Sequence, residues 1–116
     1  MLIRIDPTHD APLFEQLAAS VRSQALDGKA RAGERLPSAR ELAQSLGINV
    51  HTVLHAYQLL RDEGLVELRR GRGAVFTARV DALLGLDAHV RGLVEEARRV
   101  GVTASTLATL IEEAYR

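Results

Sequence analysis

The apolar positions between Leu36 and Gly64 recur with helical periodicity in two short runs. The first run predicts a helix over residues 38–46, which Gly47 ends because glycine readily adopts a left-handed backbone. The second run predicts a helix over residues 50–63, and its buried side consists of Val50, Val53, Ala56, Tyr57 and Leu60. Two helices joined by so short a turn are typical of a helix-turn-helix, whose second helix enters the major groove of DNA.

Polar residues at the two predicted helix starts fit the role of N-caps. Ser38 and Glu41 stand in the capping-box arrangement, in which each side chain satisfies a backbone amide of the other residue. Asn49 stands at the start of the second helix, where Asn is a preferred cap. Pro37 argues against a helix that runs in from upstream, because the residue before a proline is driven away from helical geometry. These signals predict both helix starts.

The polar side of the second helix carries side chains that can bond to DNA. With a rotation of about 100° per residue, four polar residues lie opposite the apolar side, namely His51, His55, Gln58 and Asp62. Thr52 lies on the flank between the two sides. Such side chains can hydrogen-bond to base edges or to phosphates. We therefore expect the first turns of this helix to face DNA.

A helix is predicted upstream of this pair and a β-hairpin downstream of it. Apolar residues recur at helical spacing from Leu13 until Gly28. The pattern of apolar and polar positions predicts two strands, over residues 65–69 and 74–77, and residues 71–73 supply a tight turn between them. A hairpin in this place is the wing of a winged helix-turn-helix. The fold predicted for residues 1–78 is therefore mainly α with a small β wing.

The chain after the hairpin is predicted to be a helical tail. We expect residues 79–86 to form a connector that is helical in part, followed by a helix over residues 88–100 that Asp87 caps. A last helix is expected to start at Thr103 or Ser105. Two short helices are too few to enclose a ligand cavity by themselves.

The tail helices carry apolar stripes that need a partner surface. The stripes include Val90, Leu93, Val94, Leu107, Leu110 and Ile111. Packing of the two helices on each other hides only part of these side chains, and a second copy across a two-fold axis is the simplest cover for the remainder. We therefore predict a homodimer formed through residues 79–116.

Composition and charge narrow the possible functions. The chain has 116 residues and no cysteine, which removes disulfides and thiolate metal sites and fits a reduced cytoplasm. The opening MLIRIDPTHD lacks the apolar core of a signal peptide, and its Leu2–Ile5 stretch is long enough only for a short strand. No apolar run approaches the roughly 20 residues of a membrane span. We expect a cytoplasmic protein without membrane contact.

The balanced charge hides a local cluster. The formal net charge is zero, with 11 basic and 9 acidic side chains in residues 1–80 and 4 and 6 in residues 81–116. Arg69, Arg70 and Arg72 lie within four positions at the hairpin turn. Because phosphate binding responds to local rather than total charge, this turn is a predicted DNA contact.

The spacing of residues from Pro12 to Phe76 resembles the winged-helix domain of the GntR family of bacterial transcription regulators. The residues that carry the resemblance are Gly33, Leu36-Pro37-Ser38, Arg40, Leu42-Ala43, Leu46-Gly47, Thr52-Val53, Ala56-Tyr57, Leu60, Gly64-Leu65 and Arg70-Gly71-Arg72-Gly73. The short helical tail is similar to that of YtrA-type members, which dimerise through it. The resemblance implies a sequence-specific regulator of transcription that binds double-stranded DNA, most simply a dimeric repressor on a near-palindromic operator, without a cofactor.

The resemblance also implies which residues contact DNA. Family contacts come from the start of the second helix, the reading helix and the wing, which here correspond to Arg35, Ser38, Arg40, Asn49, His51, Thr52, His55, Arg70, Gly71 and Arg72. Simpler roles stay open for several of these residues: Ser38 and Asn49 as caps, Thr52 as a packing residue and Arg40 as a solvated side chain. Val50 stands where many relatives have an arginine, so their base recognition does not transfer to this chain.

Three other roles compete with DNA binding: a metal site, an enzyme and a protein–protein interaction module. His51 and His55 stand four residues apart, a spacing that can hold a metal ion, but no acidic residue between them completes a metal motif. No serine, lysine or carboxylate stands in a catalytic constellation, so we predict no enzyme. A winged-helix module for protein–protein contact is the main alternative, because a neutral chain suits it. A small-molecule effector is left open, with its place between the tail and the DNA-binding domain or at the dimer interface.

Overall fold

The computed structural model describes residues 3–116, which form five helices and one two-stranded antiparallel sheet. The elements are, in chain order, α1 (Leu13–Leu26), α2 (Ala39–Leu46), α3 (Val50–Asp62), β1 (Val66–Arg69), β2 (Gly73–Phe76), α4 (Arg79–Arg99) and α5 (Ala104–Ala114). The predicted fold class, mainly α with a small β wing, is confirmed. The predicted opening strand is wrong over residues 3–5, which have no regular structure, and its first residue, Leu2, lies outside the described residues. No helix in the described range is long and apolar enough to cross a membrane.

One aliphatic core joins the first three helices to the wing. Both α1 and α2 pack on α3. Side chains with 2% exposure or less include Leu17, Val21, Val53, Leu60, Leu65, Val66, Val75 and Phe76. Burial of each such side chain is worth roughly 1.5–3 kcal/mol relative to an exposed position. Since this core fixes the rotation of α3 about its axis, it also determines which residues of α3 stay exposed.

The predicted helix starts form as expected, with one difference. The Ser38 hydroxyl oxygen accepts a hydrogen bond from the Glu41 amide at 3.1 Å, and the Asn49 side-chain oxygen accepts from the His51 amide at 2.8 Å. The predicted return bond of the capping box is wrong in its donor, because the Glu41 carboxylate accepts from the Ser38 hydroxyl at 3.1 Å and not from the Ser38 amide. Gly47 ends α2 in the predicted left-handed conformation, with φ at 67°.

The segment from Gly33 to Leu36 runs along the outer edge of β2. The Gly33 amide donates to the Phe76 carbonyl at 2.8 Å, and the Leu36 amide donates to the Ala74 carbonyl at 2.9 Å. The Phe76 amide donates back to the Glu34 carbonyl at 2.9 Å. This pairing ties the chain that leads into α2 directly to the returning strand of the wing.

The tail departs from the prediction at its first helix. Residues 79–86 are the first turns of α4 rather than a connector, so Asp87 lies in the middle of that helix instead of capping it. The Asp87 carboxylate instead accepts from the Arg91 guanidinium at 2.8 Å, an i,i+4 pair that supports the continuous helix. Thr103, one of the two predicted starts, caps α5 by accepting from the Thr106 amide at 3.2 Å.

The chain divides into two compact units, one ending at Leu84 and one from Gly85 to Arg116. In the second unit Ala97 is buried, and Val94 and Leu107 are half-buried. Large apolar side chains of this unit stay exposed, namely Leu86, Val90, Leu93, Val100, Leu110, Ile111 and Tyr115. The predicted functional boundary between residues 78 and 79 stays a prediction, and α4 begins immediately after it.

The Tyr57 phenol provides a test of how α3 is held. Its hydroxyl donates to the Pro37 carbonyl at 2.7 Å, and burial, with a smaller contribution from Glu41, raises the pKa of Tyr57 above its ordinary value. We expect Tyr57→Phe to lower the free energy of unfolding by about 1 kcal/mol at neutral pH, since the carbonyl loses its donor.

This loss should depend on pH in one direction. Above about pH 10 the unfolded phenol ionises while the folded one keeps its proton, so the wild type loses stability as pH rises and the mutant does not. Urea unfolding at pH 7, 9 and 10.5 should show a stability difference that is constant up to pH 9 and narrows above it. A difference that stays constant at pH 10.5 would contradict a raised pKa.

Candidate nucleic-acid interface

The exposed side of α3 carries the predicted reading residues. His51, His55 and Gln58 are exposed and Thr52 is half-buried, because Val53, Ala56 and Leu60 occupy the opposite, buried side. Asn49 is exposed, but its side-chain oxygen is already the acceptor in the cap of α3. Its amide N–H₂ group is the part that remains to donate to DNA.

A shallow depression lies beside the start of α3. It has a volume of about 440 Å³ and is lined by Leu13, Phe14, Asn49, His51, Thr52 and His55. Four predicted DNA-binding residues therefore share one concave surface. The two residues from α1 were missed by the sequence analysis, because contacts between α1 and α3 join positions about 40 residues apart that no local pattern connects. Phe14 belongs to the apolar run of α1, whose helical spacing predicts a core position for it.

Phe14 and His55 form a stacked pair at this depression. Their ring centroids are 3.8 Å apart and their planes differ by 14°. Phe14 is half-buried and packs on the core, so the core prediction is confirmed only for part of its ring. His55 stays exposed despite the stack. A histidine stacked through its face presents its edge, which bears both ring nitrogens, to the surroundings.

The start of α2 supplies a second group of predicted contacts. Arg35, Ser38 and Arg40 are all exposed. Arg35 lies opposite Val75 of the wing in an isolated antiparallel bridge. Among the described residues neither Arg35 nor Arg40 forms an ion pair, so both guanidinium groups are available to a phosphate. Helix N-termini such as this one also present backbone amides that favour anions.

The turn of the wing supplies the third group. Its tip is closed by the Arg72 amide, which donates to the Arg69 carbonyl at 3.0 Å, and Gly71 and Gly73 have positive φ values of 79° and 72°. Arg69 forms an ion pair with Glu67 at 2.8 Å, whereas Arg70 and Arg72 form none within the described range. The sequence treated the three arginines as one cluster, but the structure leaves two of them with an unneutralised charge.

Hydrogen bonds connect the reading helix, the start of α2 and the wing to one another. Leu36 is bonded to Ala74, which is next to the wing turn, and two residues later Ser38 begins α2. The bond from Tyr57 to the Pro37 carbonyl attaches α3 to the same stretch. The DNA-contacting roles of the individual residues stay predictions, but the start of α2, the reading helix and the wing meet at one hydrogen-bonded junction.

The described part of the chain offers little support for a metal site. No group of three or more histidine, aspartate or glutamate side chains there converges to hold a metal ion. His51 and His55 accordingly have no third ligand, and His55 is engaged with Phe14. What the surface offers is hydrogen-bond donors and arginines, which suit a polyanion.

This fold and surface define a winged helix-turn-helix DNA-binding protein. Residues 13–76 match the family described as bacterial regulatory proteins, gntR family, and the chain belongs to that family. It is 32% identical over 118 residues to the HTH-type transcriptional repressor YtrA of Bacillus subtilis (strain 168), covering 97% of this chain and 91% of that protein. It is 36% identical over 104 residues to the HTH-type transcriptional regulator Rv1152 of Mycobacterium tuberculosis, covering 89% and 85%.

A solved structure agrees with this assignment. YtrA from Sulfolobus acidocaldarius, a GntR-family transcription factor, superposes with a TM-score of 0.63 at 33% identity, covering 81% of this chain and 99% of that one. The similarity to YtrA proteins includes the tail as well as the winged helix. The protein is therefore a GntR-family transcriptional regulator of the YtrA type, with a DNA-binding helix-turn-helix, and not an enzyme.

The unpaired wing arginines predict a specific salt dependence. We expect Arg72→Ala to weaken binding to all DNA sequences alike and to reduce the slope of log affinity against log salt concentration by about 1, because one phosphate contact is lost. Fluorescence anisotropy with a labelled duplex at several salt concentrations measures both effects.

Arg61→Ala is the matched control for this variant. It removes the same charge from the last turn of α3, where Arg61 lies 3.4 Å from the Asp62 carboxylate. The control should leave the salt slope unchanged. Equal slopes for the wild type and Arg72→Ala would remove the wing tip from the interface.

Proposed function

We propose that the protein is a dimeric repressor that binds a near-palindromic operator. The observation that carries the proposal is the shared junction of three exposed groups, since the reading helix, the start of α2 and the wing are attached to one another by hydrogen bonds. The Bacillus subtilis relative, similar over 91% of its length, is named a repressor. A bound dimer would exclude RNA polymerase from an overlapping promoter.

Different residues would have different tasks on the duplex. Arg35 and Arg40 at the start of α2, and Arg70 and Arg72 on the wing, would bind phosphates and so set position and affinity. His51 and Thr52 lie in the first turn of α3, the part of a reading helix that meets base edges, and would contribute sequence preference. Gly71 would let the wing backbone approach the DNA closely.

Dimerisation through the tail would supply two-fold symmetry. Val90, Leu93, Leu110 and Ile111 are between 41% and 53% exposed in the single chain, although they are among the largest apolar side chains of the second unit. An apolar surface of this kind gains free energy when a second copy covers it. Symmetric copies would present two reading helices to successive turns of the major groove.

DNA binding itself is tested first. The full-length protein is mixed with pooled genomic fragments and with random-sequence duplexes at two salt concentrations, and bound fragments are selected and sequenced. We expect enrichment of a sequence with inverted half-sites about one helical turn apart. Absence of any enriched sequence, with weak and equal binding to all fragments, would favour the alternative of a protein–protein interaction module.

Repression follows from the same selected sequence. In vitro transcription from a template that carries the site across its promoter should fall as the protein is added, and a scrambled site should abolish the effect. Increased transcription would instead identify an activator.

The tail predicts a measurable change in oligomeric state. We expect the wild type to sediment as a dimer at micromolar concentration, and Leu110→Asp to sediment as a monomer that has lost most of its affinity for the full operator. Glu113→Ala is the control on the same helix and should stay dimeric. A wild type that sediments as a monomer would contradict dimerisation through the tail.

A further inference from the structure

The Phe14–His55 stack lies where the proposed function places DNA, yet one of its partners belongs to α1. The rings are nearly parallel, with centroids 3.8 Å apart, and the pair borders the depression next to the reading residues. Phe14 is anchored because it packs on the buried core. His55, by contrast, is exposed, and its ring would otherwise rotate freely about two side-chain torsions.

We propose that Phe14 is a positioning residue for DNA binding, holding the imidazole of His55 edge-on so that a ring nitrogen donates to a phosphate oxygen beside the major groove. The proposal rests on the proposed function, because it assumes that this side of α3 meets DNA. It adds α1 to the elements that shape the interface.

The position of His55 favours the backbone over the bases. His51 and Thr52 lie in the first turn of α3, which approaches base edges, whereas His55 lies one turn later. Leu13 and Phe14 line the depression next to it with apolar surface, which suits a deoxyribose and offers no hydrogen-bonding group to a base edge. The part of the depression next to His55 therefore suits the sugar–phosphate backbone, whereas His51 and Thr52 line the part that faces base edges.

The stack contributes by restricting motion before DNA arrives. Ordering a flexible side chain on binding has an entropic cost, and an aromatic pair already present in the free protein removes part of that cost. We expect Phe14→Leu, which keeps apolar packing but removes the ring, to weaken DNA binding about 3- to 10-fold. Because a phosphate contact carries no sequence information, the loss should be the same for the selected operator and for random duplex.

A double-mutant cycle separates positioning from general damage. Affinities are measured for the wild type, Phe14→Leu, His55→Ala and the double variant, with Phe14→Tyr as the conservative replacement. Phe14→Leu should have no further effect in the His55→Ala background, and Phe14→Tyr should bind like the wild type. Equal affinity of the wild type and Phe14→Leu, or losses that add independently in the double variant, would overturn the proposal.

Two further measurements test whether the loss of DNA affinity comes from a folding defect in the variant. The histidine ring protons of His55 should show an upfield ring-current shift in NMR spectra that disappears in Phe14→Leu and persists in Phe14→Tyr. Ile5→Ala, which also removes a half-buried side chain that packs on the core, should lower the melting temperature without changing DNA affinity. A wild type that binds no DNA would remove the proposed function and this inference together, whereas a binding wild type with an unaltered Phe14→Leu removes the inference alone.

Discussion

The interface depends on the pairing of Gly33–Leu36 with β2. The Gly33 and Leu36 amides donate to carbonyls of the wing, and the Glu34 carbonyl accepts a bond in return. The chain before α2 therefore pairs with β2 as a short third strand would. The Tyr57 hydroxyl then attaches α3 to Pro37, the next residue along. A two-stranded hairpin alone is marginally stable in water, and these bonds support the wing together with the burial of Val66, Val75 and Phe76. With these bonds, the wing and the two helices of the helix-turn-helix are joined through one short stretch of chain.

The positive charge that remains on the surface of this protein depends on which arginines form ion pairs, and not on the net charge of the chain. The chain is neutral, and several of its arginines are neutralised locally, such as Arg22 by Glu63 and Arg69 by Glu67. These pairs are partly exposed and contribute at most about 1 kcal/mol each. Within the described residues, Arg70 and Arg72 at the wing tip have no such partner. A neutral composition is therefore compatible with a local surface that attracts phosphates.

Local patterns predicted much of the structure, and long-range contacts limited the rest. The caps at Ser38 and Asn49 and the left-handed Gly47 follow from short-range backbone chemistry, which is why they could be read from the sequence. The pairing of Gly33–Leu36 with β2 could not be predicted, because this segment has no alternation of apolar and polar residues. The stack of Phe14 on His55 joins residues that lie far apart in the chain. Asp87 was misread as a cap because an acidic residue before a helical run also suits a helix interior when Arg91 follows four residues later.

The central claim, that the start of α2, the start of α3 and the wing tip contact one duplex together, is tested most directly by amide NMR. ¹⁵N-labelled protein is titrated with the selected operator, and the shifts of residues 38–40, 49–51 and 70–72 are followed. We expect all three groups to shift with one common saturation curve. Wing amides that stay unmoved, or that saturate separately from those of α3, would contradict a single interface.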